Sequence, residues 1–147
     1  MAACSAIDAI IPAEGTLRAD AIASLVADLA ALPKAGFSEV WVHQGYMPAL
    51  CALLNGERGW LMFVRYDGDP GFSSRNPNYA GAPDAEIEYM LSNGQIDCCP
   101  AQWAYPRDQV LKALDSFART GRVEGIAWSN DSGDGARDPH KRASWDD

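Results

Sequence analysis

Histidine is almost missing from this chain: His43 and His140 are the whole supply in 147 residues. His43 closes an apolar stretch, and His140 sits in a polar run near the C-terminus. A His-metal or Cys-His site would have to be built on one usable histidine, so a structural role is expected for His43. Cysteine is sparse too. Cys4, Cys51, Cys98 and Cys99 contain no C-x-x-C pair, and adjacent residues on a strand point to opposite faces, so Cys98 and Cys99 cannot converge on one ion. They read as free, reduced thiols of a cytoplasmic protein. No G-x-S-x-G elbow, no Walker or Rossmann glycine pattern and no H-x-E with P-C-x-x-C is present. The expectation is therefore a non-enzyme with no catalytic residues, metal or cofactor. Basic charge is outnumbered, with Lys and Arg at 12 against 20 Asp and Glu, a formal net charge of −8. That excess disfavours nucleic acid and anionic membrane as partners, and suits either a basic partner or simple solubility, the commoner reason for acidic charge. The longest apolar run, Trp60 to Val64, is far too short to span a bilayer. The opening residues have no basic segment and no long apolar run behind them, so no signal peptide is expected.

Apolar residues, by contrast, make up 48% of the chain, enough for one core without staples. Residues 3–11 read as a first strand. Thr16 stands at a helix N-cap position, and Ile22, Leu25, Val26 and Leu29 follow at helical spacing until Pro33 and Gly36. Strands are expected at Phe37 to His43, Ala49 to Leu54 and Trp60 to Tyr66, with Asn55-Gly56 as a hairpin turn. A weak strand and a long loop fill Asp69 to Asp84. Glu86 to Leu91 and Gln95 to Cys99 pair across Asn93-Gly94. Pro106 fits the N1 position of a second helix whose stripe is Val110, Ala113, Leu114, Phe117 and Ala118, and Gly121 fits its C′ position. Glu124 to Trp128 is a last strand. This order predicts an α+β fold, an antiparallel sheet of about six to seven strands with two helices packed on one face. Residues 1–129 form a single domain, and 130–147 read as a flexible acidic and polar tail.

One stretch stands out as a candidate surface. The segment from Asp69 to Asp84 is too long for a simple connection, and such loops are often functional. Phe72 and Tyr79 read as exposed aromatic anchors, the residue type that dominates binding hot spots. Tyr66, Asp67, Asp69, Asp84, Glu86 and Glu88 bracket them, and Ser74, Asn76 and Asn78 add hydrogen-bonding groups. These eleven residues are the expected partner-binding site. Glu86 and Glu88 alternate on a strand's outer face, where solvated carboxylates are ordinary. A small carboxylate- or metal-dependent enzyme built on Asp67, Asp69, Glu86 and Glu88 is the rival reading.

Several segments share their order with a known family: Gly45 to Leu50 (GYMPAL), Trp60 to Tyr66 (WLMFVRY), Gly71 to Asn76 (GFSSRN), Glu86 to Tyr89 (EIEY), and the close from Val110 to Trp128. Over roughly residues 14–129 the chain resembles the large immunity-protein family encoded beside deaminase-type toxins in bacterial polymorphic toxin systems. The match is best from Phe117 through Thr120 and Gly121 to Ile126 and Trp128. Val123 and Glu124 stand where the family more often carries a proline. The resemblance implies a one-to-one inhibitor that covers the active site of a secreted toxin. It further implies that this toxin is a basic, nucleic-acid cytosine deaminase, with a nuclease as the alternative target.

Overall fold

Three consecutive runs, Phe37–Gln44, Ala49–Asn55 and Arg58–Val64, alternate or stay apolar throughout and become the central strands β2, β3 and β4. The computed structural model describes residues 4–140. Around that centre, β1 (Cys4–Ile11) and α1 (Thr16–Ala31) precede β2. After β4 come β5 (Phe72–Arg75), β6 (Glu86–Met90) and β7 (Ile96–Pro100). A 3-10 turn (Ala101–Trp103), β8 (Tyr105–Pro106), α2 (Arg107–Thr120) and β9 (Ala127–Asn130) complete the order. The main sheet runs β1-β2-β3-β4-β5-β9, and β8 pairs with β4 beside β5. The fold is α+β and mostly antiparallel, as expected. It departs in two respects. β1 lies parallel to β2, which requires a crossover that α1 supplies. β6 and β7 stand apart as a two-stranded sheet.

Both helices cover one face of the main sheet. Leu25 and Leu29 of α1 and Val110, Leu114 and Phe117 of α2 meet Val40, Val42, Leu50, Leu54, Leu61 and Phe63 in one buried cluster. Phe63 is its hub, with the rings of Phe117, Trp128 and His140 edge-on at 5.5, 6.1 and 5.0 Å. Among the described residues the opposite face is covered at one end only, where Tyr89 and Cys99 of the β6–β7 hairpin bury Leu53 with Trp60 and Trp103 around them.

Strand β4 shares one edge between two partners. Met62 and Phe63 pair with β5, and Arg58 and Gly59 pair with β8. At the junction the Leu61 N–H donates to Ser74 Oγ at 3.0 Å, a side chain standing in for a ladder carbonyl. Gly71 lets the chain enter β5, because its φ is +80° and a Cβ there would lie 2.5 Å from the Phe63 carbonyl oxygen. Gly121 ends α2 in the left-handed region as expected, its N–H donating to the Phe117 carbonyl at 2.8 Å.

Several boundaries differ from expectation. Gly15, with φ 88°, caps α1 in place of Thr16, and Pro106 caps α2 instead of entering it. The last strand runs Ala127–Asn130, set by its pairing with β5 rather than by local pattern. The segment from Asn130 to His140 packs onto the body. The Asn130 side chain accepts from Ser132 and donates to Asp134 and the Ala136 carbonyl, Ala136 is buried, and Val123 N–H donates to His140 Nε2 at 3.0 Å. The remainder of the expected tail, 141–147, lies outside the described residues.

Candidate functional site

The eleven expected surface residues divide into three groups. Asp69, Phe72 and Ser74 belong to the interior, which corrects the reading of Phe72 as an exposed anchor. Phe72 faces the core because pairing with Phe63 sets the register of a strand too short to show its own alternation. Ser74 Oγ also donates to the Trp103 carbonyl at 2.9 Å. The Asp69 carboxylate accepts from Arg65 Nε at 2.8 Å, Arg65 Nη2 at 3.0 Å and the N–H groups of Arg65 and Gly71. Those Arg65 hydrogen bonds, against the penalty of burial, hold it below the usual carboxylate range. Arg65 in turn reaches Asp134 at 2.7 Å and lies 4.9 Å over the Phe72 ring. Asn76 and Tyr79 are half-buried and locally tied. Asn76 Nδ2 donates to the Ala104 carbonyl, and the Tyr79 hydroxyl donates to the Ala82 carbonyl.

Tyr66, Asp67, Asn78, Asp84, Glu86 and Glu88 are exposed, but they do not form one patch. Asn55 Nδ2 donates to the Glu88 carbonyl at 2.9 Å, which fixes β6 over the turn between β3 and β4. Tyr66 lies beyond the other end of β4, on the order of 25 Å away by strand rise. Glu86 and Glu88 project outward from β6 while Ile87 and Tyr89 face the sheet. Among the described residues Asp67, Asp84, Glu86 and Glu88 make no ion pair.

The half-covered face of the main sheet holds a cleft of about 270 Å³ at the hairpin's edge, lined by Glu39, Trp41, Cys51, Leu53, Trp60, Met62, Leu91 and Asp97. Strand register explains it. Glu39, Leu53 and Trp60 form one row across β2, β3 and β4, and Trp41, Cys51 and Met62 form the next. Leu91 and Asp97 overhang from the hairpin. Glu39 is clamped, its Oε2 accepting from Trp41 Nε1 at 2.9 Å and its Oε1 from the Ser92 N–H at 2.8 Å. Burial works to raise its pKa, but these hydrogen bonds outweigh it and keep the carboxyl below its ordinary range. The thiol of Cys51 is pushed up by burial and by the Glu39 charge. Beyond the cleft, Trp41 stacks on His43 at 6.0 Å, and His43 Nε2 lies 3.3 Å from Asp8.

Glu39, Trp41, Trp60 and Asp97 were not among the expected site residues. A signal was present in β2, where Phe37, Glu39, Trp41 and His43 alternate with Ser38, Val40 and Val42. One face is plainly core, and the other carries two aromatics too large for a purely solvated surface. Among the described residues no group of three or more His, Cys, Asp or Glu could hold a metal ion.

Comparison with known proteins adds one match. The family described as Immunity protein Imm1 has a model that matches residues 18–130, from the first turn of α1 to the end of β9. No curated protein matches the chain.

Proposed function

Because the chain belongs to the Imm1 immunity-protein family, we propose that it neutralises its cognate toxin in the cytoplasm by one-to-one binding over the toxin's active site, and that this toxin is a nucleic-acid cytosine deaminase. One observation carries the electrostatic part of this reading. Glu86 and Glu88 project outward from the hairpin, with the exposed Asp84 just before it in the chain, all without an ion pair among the described residues, on a chain of net charge −8. A toxin that works on nucleic acid must present cations to phosphate, and unpaired carboxylates are what such a surface attracts. Asn78, Tyr79, Tyr66 and Asp67 supply further contact on this reading, while Asp69, Phe72 and Ser74 serve the fold.

The test uses the toxin domain encoded beside this gene. Co-expression of the full chain should suppress both toxicity and cytosine-to-uracil conversion, read as C-to-T changes in sequenced DNA or cDNA. Strand breaks in place of C-to-T changes would replace the deaminase with a nuclease, and continued killing would remove the immunity function. Glu86→Ala with Glu88→Ala should slow association several-fold at low salt, with little change in dissociation, and the difference should fade at high salt. An association rate insensitive to both the variant and salt would rule out this surface.

A further inference from the structure

We infer that the cleft at the edge of the β6–β7 hairpin is the socket for an arginine side chain of the toxin, a contact distinct from the outer acidic face. This rests on the immunity reading and names one contact within it. The cleft's volume of about 270 Å³ is many times the share of a single water, ~30 Å³, so it is sized for a side chain. Its walls are largely aromatic and apolar, with Trp41, Trp60, Leu53 and Met62, while Glu39 of β2 and Asp97 of the overhanging hairpin add two carboxylates. None of the lining residues is a cation, and neither carboxylate has an ion pair among the described residues.

That combination selects its occupant. An apolar side chain would strip water from two carboxylates and return nothing for it. An anion would be repelled by both. A guanidinium stacks on tryptophan, forks to carboxylates and is weakly hydrated, so it meets all three features of the walls. Glu39 is also held in place before anything binds, by the Trp41 indole and the Ser92 N–H. Its charge is felt within the cleft, where it helps to push up the Cys51 thiol. Among the described residues Asp97 has an oxygen to spare, since only its Oδ1 accepts, from Gln95 Nε2 at 2.9 Å. Next to the cleft the sheet face is open among the described residues, with the Trp41–His43 stack and the exposed Ile10 beside it. A partner surface therefore has room to lie flat while one side chain enters.

N-acetyl-L-arginine amide, titrated into the 15N-labelled full chain, should move the indole N–H resonances of Trp41 and Trp60 with an affinity on the order of millimolar. N-acetyl-L-citrulline amide, the same shape without the charge, should not. Glu39→Gln with Asp97→Asn should abolish the arginine response. Asp97→Asn alone should weaken it, and this variant leaves the Glu39 clamp intact should the double variant unfold. Equal shifts with citrulline, no shift with arginine, or an undiminished response in Asp97→Asn would each overturn the proposal. Against the neighbouring toxin, the double variant should bind roughly thirtyfold or more weakly. If it binds and protects like the wild type, the socket is wrong and the immunity reading stands. If the wild type itself fails to protect, the immunity reading falls.

Discussion

Replacing Asp69 by alanine separates a structural carboxylate from a binding one. Its side chain is fully buried and accepts hydrogen bonds from the Arg65 guanidinium through both oxygens and from two backbone N–H groups. Removal leaves the Arg65 and Gly71 N–H groups without an acceptor, at about 1–3 kcal/mol each for a buried donor. It also leaves one side of a guanidinium unpaired, although Asp134 still holds the other. Breaking a buried pair in this way costs about 3–5 kcal/mol. For a chain of this size that corresponds to roughly 10–15 °C of melting temperature, at about 3 °C per kcal/mol. Urea unfolding at neutral pH, followed by tryptophan fluorescence, measures it directly. Asp69→Asn should recover only part of the loss, since its amide turns donors toward the guanidinium. The pH dependence has a definite sign. The folded pKa lies below the ordinary aspartate value of about 3.9, so the carboxylate's contribution is complete above that value and fades as pH falls through the lower folded one. The gap between wild type and Asp69→Ala should therefore narrow only below about pH 4. A loss under about 1 kcal/mol combined with lost toxin binding would return Asp69 to the interface and refute the assignment.

Two further predictions concern the interior. Phe117→Ala should destabilise by about 3–5 kcal/mol, because the ring is fully buried and packs edge-on against Phe63; an unchanged urea midpoint would show that α2 does not seat there. In native protein a maleimide should label exposed Cys98 first and buried Cys51 and Cys99 slowly. The thiol of Cys99 is pushed up to about 11 by burial, with Asp97 and other neighbouring charges adding to it. Equal rates at the four sulfurs, read by mass spectrometry of the digest, would contradict the burial described.

Local pattern was enough for the central strands, the second helix and its left-handed end at Gly121, because each is decided by residues a few positions apart. It failed where a distant partner decides. Phe72, Ser73 and Ser74 fall in a stretch read as a weak strand and a long loop with Phe72 exposed, yet all three are buried, since Phe63, Asp131, Leu61 and Trp103 meet them from elsewhere in the chain. Asp69 looked like one of several surface acids, and its partners Arg65 and Asp134 become visible only in three dimensions. The run from Asn130 to His140 has a tail's composition. Its Asn, Ser and Asp side chains spend themselves on local backbone N–H groups, which lets Ala136 and His140 reach the core. The cleft was hidden for the same reason, as Asp97 joins Glu39 in lining it only because the β6–β7 hairpin packs over the sheet.

The rings around Phe63 also set a schedule for biosynthesis. Phe117, Trp128 and His140 reach it from successively later points in the chain. A ribosome adding ~5–20 residues per second needs roughly 4–15 s to pass from Phe63 to His140. During that interval the most aromatic part of the nascent sheet has no cover from α2, β9 or the segment beyond it. Chains arrested with His140 still inside the exit tunnel should accordingly be captured by chaperones more than chains arrested on a C-terminal extension that lets His140 emerge, because only the latter can close the ring cluster over Phe63.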